Sequence, residues 1–209
     1  MRPFPLLVLA ALAALWLAML LLGAGAVDRS VLMALYAADE PWLALAAMGF
    51  TYLGNWWTIV AVTLVAAAWL LWRGKRREAL ILIVATFTGR GLVILEKAYF
   101  GRVRPEENLR LVEVHYQSFP SGHSANAMLV YLGIALLAFD DSRRRRWAVC
   151  AAVALAFLIG VSRPMLGVHW PSDVIGGWSF GAFWLLLVLA AADRLTPAKG
   201  PATRPLPSS

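Results

Sequence analysis

Apolar runs separated by short polar loops organise the chain. They cover residues 5–27, 56–72, 79–100, 121–139, 147–161 and 174–192. A run of roughly 20 apolar residues is long enough to cross the ~30 Å hydrocarbon core of a bilayer as a helix. The pattern therefore predicts an all-α, polytopic membrane helix bundle with six transmembrane helices in one domain over residues 1–195. Residues 28–55 are mixed and read as an extramembrane loop with one or two short helices lying along the interface. Residues 196–209, rich in proline, lysine, arginine and serine, read as a disordered tail. The first run has Ala24-Gly25-Ala26 at its end, as a cleavable signal would, but it is longer than a usual signal core and reads as a span.

Composition agrees with this picture: 61% of the 209 residues are hydrophobic and only 15% are charged, well below the charge of a soluble domain. The net charge of +7 does not point to nucleic acid, because no basic patch is interleaved with base-stacking aromatics. The basic residues cluster instead at 73–77 and 143–146, with Arg2, Arg194, Lys199 and Arg204. If the spans alternate, all of these fall on one side, which the positive-inside rule assigns to the cytoplasm along with both termini. The loops 28–55, 101–120 and 162–173 then share the extracytoplasmic face. Trp56, Trp57, Trp72, Trp147 and Trp170 fall at predicted span ends, as an aromatic belt would. Cys150, the single cysteine, reads as a small residue of an apolar run.

Three polar blocks interrupt the apolar pattern on that second face. The first ends the third run with Lys97 and carries on to Arg104-Pro105. Pro105 argues against a helix continuing through Arg104. The second, Pro120-Ser121-Gly122-His123, opens the fourth helix, with Ser121 as N-cap. Its free N–H groups and the close approach allowed by Gly122 make an anion site. The third runs from Ser162 to Asp173 and holds Arg163, His169 and Asp173, with Pro171 suited to the first turn of the next helix. Each block alone has an ordinary reading, as snorkelling cations, a capped helix or a polar hairpin. Together they supply three fixed cations, a helix N-terminus and two histidines on one face. Arginine forks match phosphate oxygens, one histidine can act as nucleophile, and the other can protonate a leaving oxygen. This set suits metal-independent hydrolysis of a phosphate ester. Zinc is disfavoured, since no thiolate or third histidine lies at ligand spacing.

The blocks resemble the type 2 phosphatidate phosphatase superfamily, which includes lipid phosphate phosphatases and vanadium haloperoxidases, and in particular its bacterial integral-membrane branch. The family pattern Lys-x6-Arg-Pro, Pro-Ser-Gly-His, Ser-Arg-x5-His-x3-Asp is matched at Lys97, Arg104, Pro105; Pro120, Ser121, Gly122, His123; and Ser162, Arg163, His169, Asp173. The resemblance implies that His169 is a nucleophile forming a phosphohistidine, oriented by Asp173. It makes His123 the general acid and then base, and Lys97, Arg104, Arg163, Ser121 and Gly122 the phosphate site. No cofactor and no metal are implied. The expected partner is a membrane lipid phosphate, with undecaprenyl diphosphate and phosphatidylglycerophosphate first and phosphatidate and lipid A phosphate after them. The expected location is the inner (plasma) membrane of a bacterium, with the site facing outward. A lipid phosphotransferase could use the same phosphohistidine, and a non-enzymatic lipid-binding or transport protein could use the cations. His115 reads as a rim residue, and Arg90 and Glu96 as residues with structural partners on other helices.

Overall fold

A computed structural model describes residues 3–195, and among these no strand occurs. Eight α-helices follow one another: α1 (Pro3–Leu22), α2 (Ala26–Leu35), α3 (Pro41–Gly54), α4 (Trp56–Trp72), α5 (Arg76–Phe100), α6 (Gly122–Ala138), α7 (Ser142–Met165) and α8 (Pro171–Leu195). The expected disordered tail, with Lys199 and Arg204, and the N-terminal Arg2 lie outside the described residues.

The all-helical membrane architecture is as the hydrophobic pattern predicts, but the spans are less uniform. α5, α7 and α8 are each long and apolar enough to cross a membrane. Residues 6–22 with α2, and α3 with α4, qualify only as pairs, bent by 97° and 51°. The stretch expected to lie outside the membrane thus contains α3, an apolar helix that packs on α7 and α6 and runs almost directly into α4. Asn55 makes the break: its side chain accepts from the N–H of Trp57 at 3.1 Å, capping α4 while ending α3.

α6 is the central helix, packed against α3, α4, α5, α7 and α8. Its 17 residues reach only about 26 Å. Small residues let α8 come close to it. A Cβ at Gly177 would meet the carbonyl oxygen of Ser121 at 2.6 Å, and one at Gly181 would strike that of Ala125. With little hydrophobic drive between helices in lipid, such backbone approach is a main source of packing energy.

α7 starts earlier and ends later than the apolar run suggests. Asp141 caps it, accepting from the N–H of Arg144 at 2.8 Å, so the arginine cluster forms its first turns. It then continues through Arg163 and Pro164, where the start of the 162–173 loop was expected. Gly167, at φ 69°, ends it. The Gly167 N–H bonds the Pro164 carbonyl at 2.9 Å and the Val168 N–H bonds that of Arg163 at 3.2 Å, a left-handed helix cap. A side chain there would collide with the Leu109 carbonyl.

Ion pairs gather the basic loops at one end. Lys75 Nζ lies 2.7 Å from Asp140, joining the α4–α5 and α6–α7 turns, and Arg77 lies 2.8 Å from Asp193 of α8. At the opposite end meet the C-termini of α5 and α7 and the N-termini of α6 and α8. Trp57, Trp72 and Trp147 are exposed as a belt requires. Trp170 is not part of it. Trp170 is buried, and its indole N–H donates to the Val103 carbonyl at 2.9 Å.

Candidate active site

Helix termination places the first cations. α5 ends at Gly101 in the left-handed conformation, with Lys97 in its last turn. The Lys97 ammonium donates to the carbonyls of Gln117 (2.7 Å) and Ser118 (3.0 Å). It therefore ties the 101–121 loop to α5 while lining the cavity described below. Arg104 lies beyond the helix and is held by three carbonyls, those of Tyr116 (2.5 Å), Val168 (2.5 Å) and Gln117 (3.3 Å). Its Nη1 is also 3.1 Å from Nε2 of His169. Arg163 rises from the last turn of α7 and donates to the Thr51 hydroxyl of α3, while its Nε has no partner among the described residues.

His169 sits in the short loop between α7 and α8. Its Nδ1 lies 3.2 Å from Oδ2 of Asp173 and 3.3 Å from the Ser118 hydroxyl. Ser118 itself donates to Asp173 Oδ2, so the Nδ1 proton is directed to the carboxylate. Nε2 is then left with its lone pair toward Arg104. Burial first, and then the Arg104, Lys97 and Arg163 cations, hold the His169 pKa well below the usual imidazole value. The ring is neutral at neutral pH, as a nucleophile must be. Arg104 is itself pushed down to about 10, by burial working against the pull of Asp173, and so it stays cationic at neutral pH.

Asp173 is fully buried and its oxygens are saturated. Besides His169 and Ser118, it accepts from the Trp170 N–H at 2.9 Å and from Arg102 Nη1 at 2.9 Å. Arg102 was not singled out by the motifs. Its guanidinium also donates to Ser172 Oγ (3.0 Å) and to the carbonyls of Met19 (2.8 Å) and Leu20 (2.6 Å) at the end of α1. It stacks 4.4 Å over the Phe119 ring as well. Asp28 of α2 completes this layer by accepting from the Ser172 N–H at 2.8 Å and from its hydroxyl. Cleavage after residue 26 would remove two of the acceptors that orient Arg102. No periodicity marks Arg102, Ser118 or Asp28. The one available signal was a third cation between Lys97 and Arg104, beside an apolar helix.

His123 lies in the first turn of α6 and differs sharply from His169. Neither of its ring nitrogens has a hydrogen-bond partner among the described residues. Gly54 lies beside it: a Cβ there would be 3.1 Å from His123 Cδ2. A cavity of about 590 Å³ joins these groups, lined among others by Lys97, Arg104, Gly122, His123, Arg163 and His169. Asp173 stands behind His169. Ser121 is fully buried and its oxygen serves the helix cap, accepting from the Ser124 N–H at 3.5 Å and the Ser124 hydroxyl at 3.0 Å. It does not reach the cavity wall, so only Gly122 of that expected pair does. His115 lines the mouth, as expected of a rim residue. Arg90 departs from the expectation of a structural partner alone, because it lines the cavity with its guanidinium 5.1 Å over the Trp56 ring.

The sequence profile of the PAP2 superfamily, the type 2 phosphatidate phosphatases, matches residues 78–197. Phosphatidylglycerophosphatase B of Bacillus subtilis (strain 168) is 32% identical over 172 residues, covering 80% of this chain and 84% of that protein. A lipid A 1-phosphatase of Rhizobium johnstonii is 35% identical over 118 residues, which is 52% of this chain and 45% of the relative. The crystal structure of a transmembrane PAP2 type phosphatidylglycerolphosphate phosphatase from Bacillus subtilis superposes with a TM-score of 0.82. It is 28% identical and covers 91% of this chain and 98% of that one.

Proposed function

The chain belongs to the PAP2 superfamily, and from that premise we propose that it is an integral-membrane lipid phosphatase working through a phosphohistidine on His169. One observation carries the reading. His169 offers Nε2 to a cation-lined cavity, 3.1 Å from Arg104, while Asp173 backs Nδ1 at 3.2 Å. Lys97, Arg104, Arg163 and the Gly122 N–H bind the scissile phosphoryl group, neutralising charge that spreads over its oxygens in the transition state. Nε2 attacks phosphorus. An N–P bond forms, the bond to the leaving oxygen breaks, and the electron pair goes to that oxygen, which takes a proton from His123. Water then attacks the phosphohistidine as His123 accepts a proton from it. The N–P bond breaks and returns its electron pair to Nε2. The proton stays on Nδ1 throughout, donated to the Asp173 carboxylate, which stabilises the positive ring.

The substrate is a lipid phosphomonoester or diphosphate, with phosphatidylglycerophosphate and undecaprenyl diphosphate foremost. The resemblance to the Bacillus protein named for the first of these supports its place among them. Six membrane crossings, counting α6 and each bent pair as one, put both termini in the cytoplasm. The site then lies in the outer leaflet of a bacterial plasma membrane. The basic clusters at the end opposite the site support this orientation.

The test is phosphate release by detergent-purified protein in EDTA, from phosphatidylglycerophosphate, undecaprenyl diphosphate and phosphatidate, with His169→Ala as control. Release that survives EDTA and is lost in the variant is expected. Phosphorylated acceptor lipid without free phosphate would make the protein a transferase, and loss on EDTA alone would overturn the metal-free mechanism.

A further inference from the structure

Four cations line the cavity, Arg90, Lys97, Arg104 and Arg163, and Glu113 at the mouth is the one carboxylate among its lining residues. Three of the cations belong to the phosphate clamp. The fourth, Arg90, lies seven residues before Lys97 on α5, hence on the same helix face. Its guanidinium has no hydrogen-bond or ion-pair partner among the described residues and is held only by its stacking on Trp56. A cation on a membrane-spanning helix is costly unless something in the cavity neutralises it. Asn126, one turn beyond His123 on α6, also lines the cavity. It is 5% exposed, and its amide has no hydrogen-bond partner among the described residues. A buried polar group of this kind is normally satisfied.

These two groups lie on the His123 side of the cavity. A Cβ at Gly122, the residue before His123, would be 3.3 Å from Arg90 Nη1 and 3.9 Å from Lys97 Cε. Arg104, in contrast, touches the nucleophile His169. In an in-line displacement the leaving group departs opposite the nucleophile, on the side where His123 delivers its proton.

We propose that Arg90 and Asn126 form a second anion subsite for the leaving group. This subsite makes the protein favour lipid diphosphates over lipid monophosphates, and so undecaprenyl diphosphate over phosphatidylglycerophosphate. The proposal rests on the lipid-phosphatase reading above and deepens it. A monoester phosphate brings a charge of about −2, which the three clamp cations already offset in full. A diphosphate adds a further anionic phosphoryl group for the fourth. When His169 attacks the terminal phosphorus, the N–P bond forms and the bridging P–O bond breaks. The bridging oxygen carries its electron pair away on the lipid monophosphate. Arg90 holds that developing charge in a bidentate grip, while Asn126 donates to a phosphate oxygen.

The experiment compares kcat/KM for farnesyl diphosphate and farnesyl monophosphate in the wild type, Arg90→Gln and Arg90→Lys. Calorimetric binding of inorganic pyrophosphate and orthophosphate to the same detergent-solubilised proteins accompanies it. In Arg90→Gln the diphosphate-to-monophosphate ratio should fall about tenfold or more, with partial recovery in Arg90→Lys. The wild type's preference for pyrophosphate over orthophosphate should shrink in parallel. Equal losses on both substrates, an unchanged ratio, or a wild type that binds the two anions equally would overturn the subsite. A wild type that prefers pyrophosphate in an Arg90-dependent way yet hydrolyses neither lipid would keep the subsite and sink the phosphatase reading.

Discussion

The two histidines of the cavity stand in opposite states. His169 is locked, with Nδ1 against Asp173 and Ser118, Nε2 beside Arg104, and a ring almost completely buried. Behind it Asp173 is held by Arg102, which is in turn anchored to the end of α1. Among the described residues His123 has neither ring nitrogen engaged, and its neighbours Arg90 and Asn126 make no side-chain hydrogen bond. One side of the site is thus finished before substrate arrives, and the other waits for substrate to finish it. That division suits a covalent mechanism. A nucleophile needs one fixed tautomer and direction, whereas an acid that serves different leaving groups, and later a water, needs open valences.

The largest effect that would break this comparison is loss of the fixed histidine. His169→Ala should reduce kcat by about 10³-fold or more, measured as phosphate release, and residual activity within tenfold of the wild type would remove it as nucleophile. His123→Gln should cost about 10²- to 10⁴-fold, less on substrates whose leaving group needs no proton. Arg102→Ala leaves a buried carboxylate short of its cation, a change that costs roughly 3–5 kcal/mol in buried pairs. The expected result is a lower melting temperature together with a kcat reduced about tenfold at nearly constant KM, partly restored in Arg102→Lys. A stability loss with unchanged kcat would make Arg102 purely structural. The smallest effect belongs to the open rim: His115→Ala should change kcat/KM by less than about threefold.

The pH profile sharpens the same contrast. Burial and neighbouring cations lower the His169 pKa, so the reactive neutral form persists as pH falls below the ordinary imidazole value and is lost only on protonation at lower pH. The acid limb of kcat/KM assigned to the nucleophile should therefore lie below about pH 6.5. In Arg104→Gln, with one of those cations gone, it should move upward. A limb above pH 7 in the wild type would contradict the assigned environment.

The fixed side of the site was also the side partly written in the chain. Lys97, Arg104, Arg163, His169 and Asp173 stand at spacings that a sequence motif can carry, because each sits where a helix ends or begins. Their supports do not. Ser118 and Arg102 reach Asp173 across 55 and 71 residues, and Asp28 reaches Ser172 across 144, separations that local pattern cannot encode. Ser121 was legible as a helix cap, and capping is what engages its hydroxyl. Arg90 was visible as a charge inside an apolar run, but only packing against Trp56 shows that it faces the cavity. The spans show the same limit. Hydrophobicity located the helices, while the α3–α4 bend and the extension of α7 through Arg163 depend on a cap at Asn55 and a left-handed glycine at 167.

The most direct test of the central claim is an alkaline quench of the protein turning over ³²P-labelled lipid phosphate, followed by mapping of the labelled peptide. An acid-labile, base-stable phosphoryl group on His169 is the predicted result. Label on another residue, or turnover with no protein-bound phosphoryl group at any time point, would contradict it.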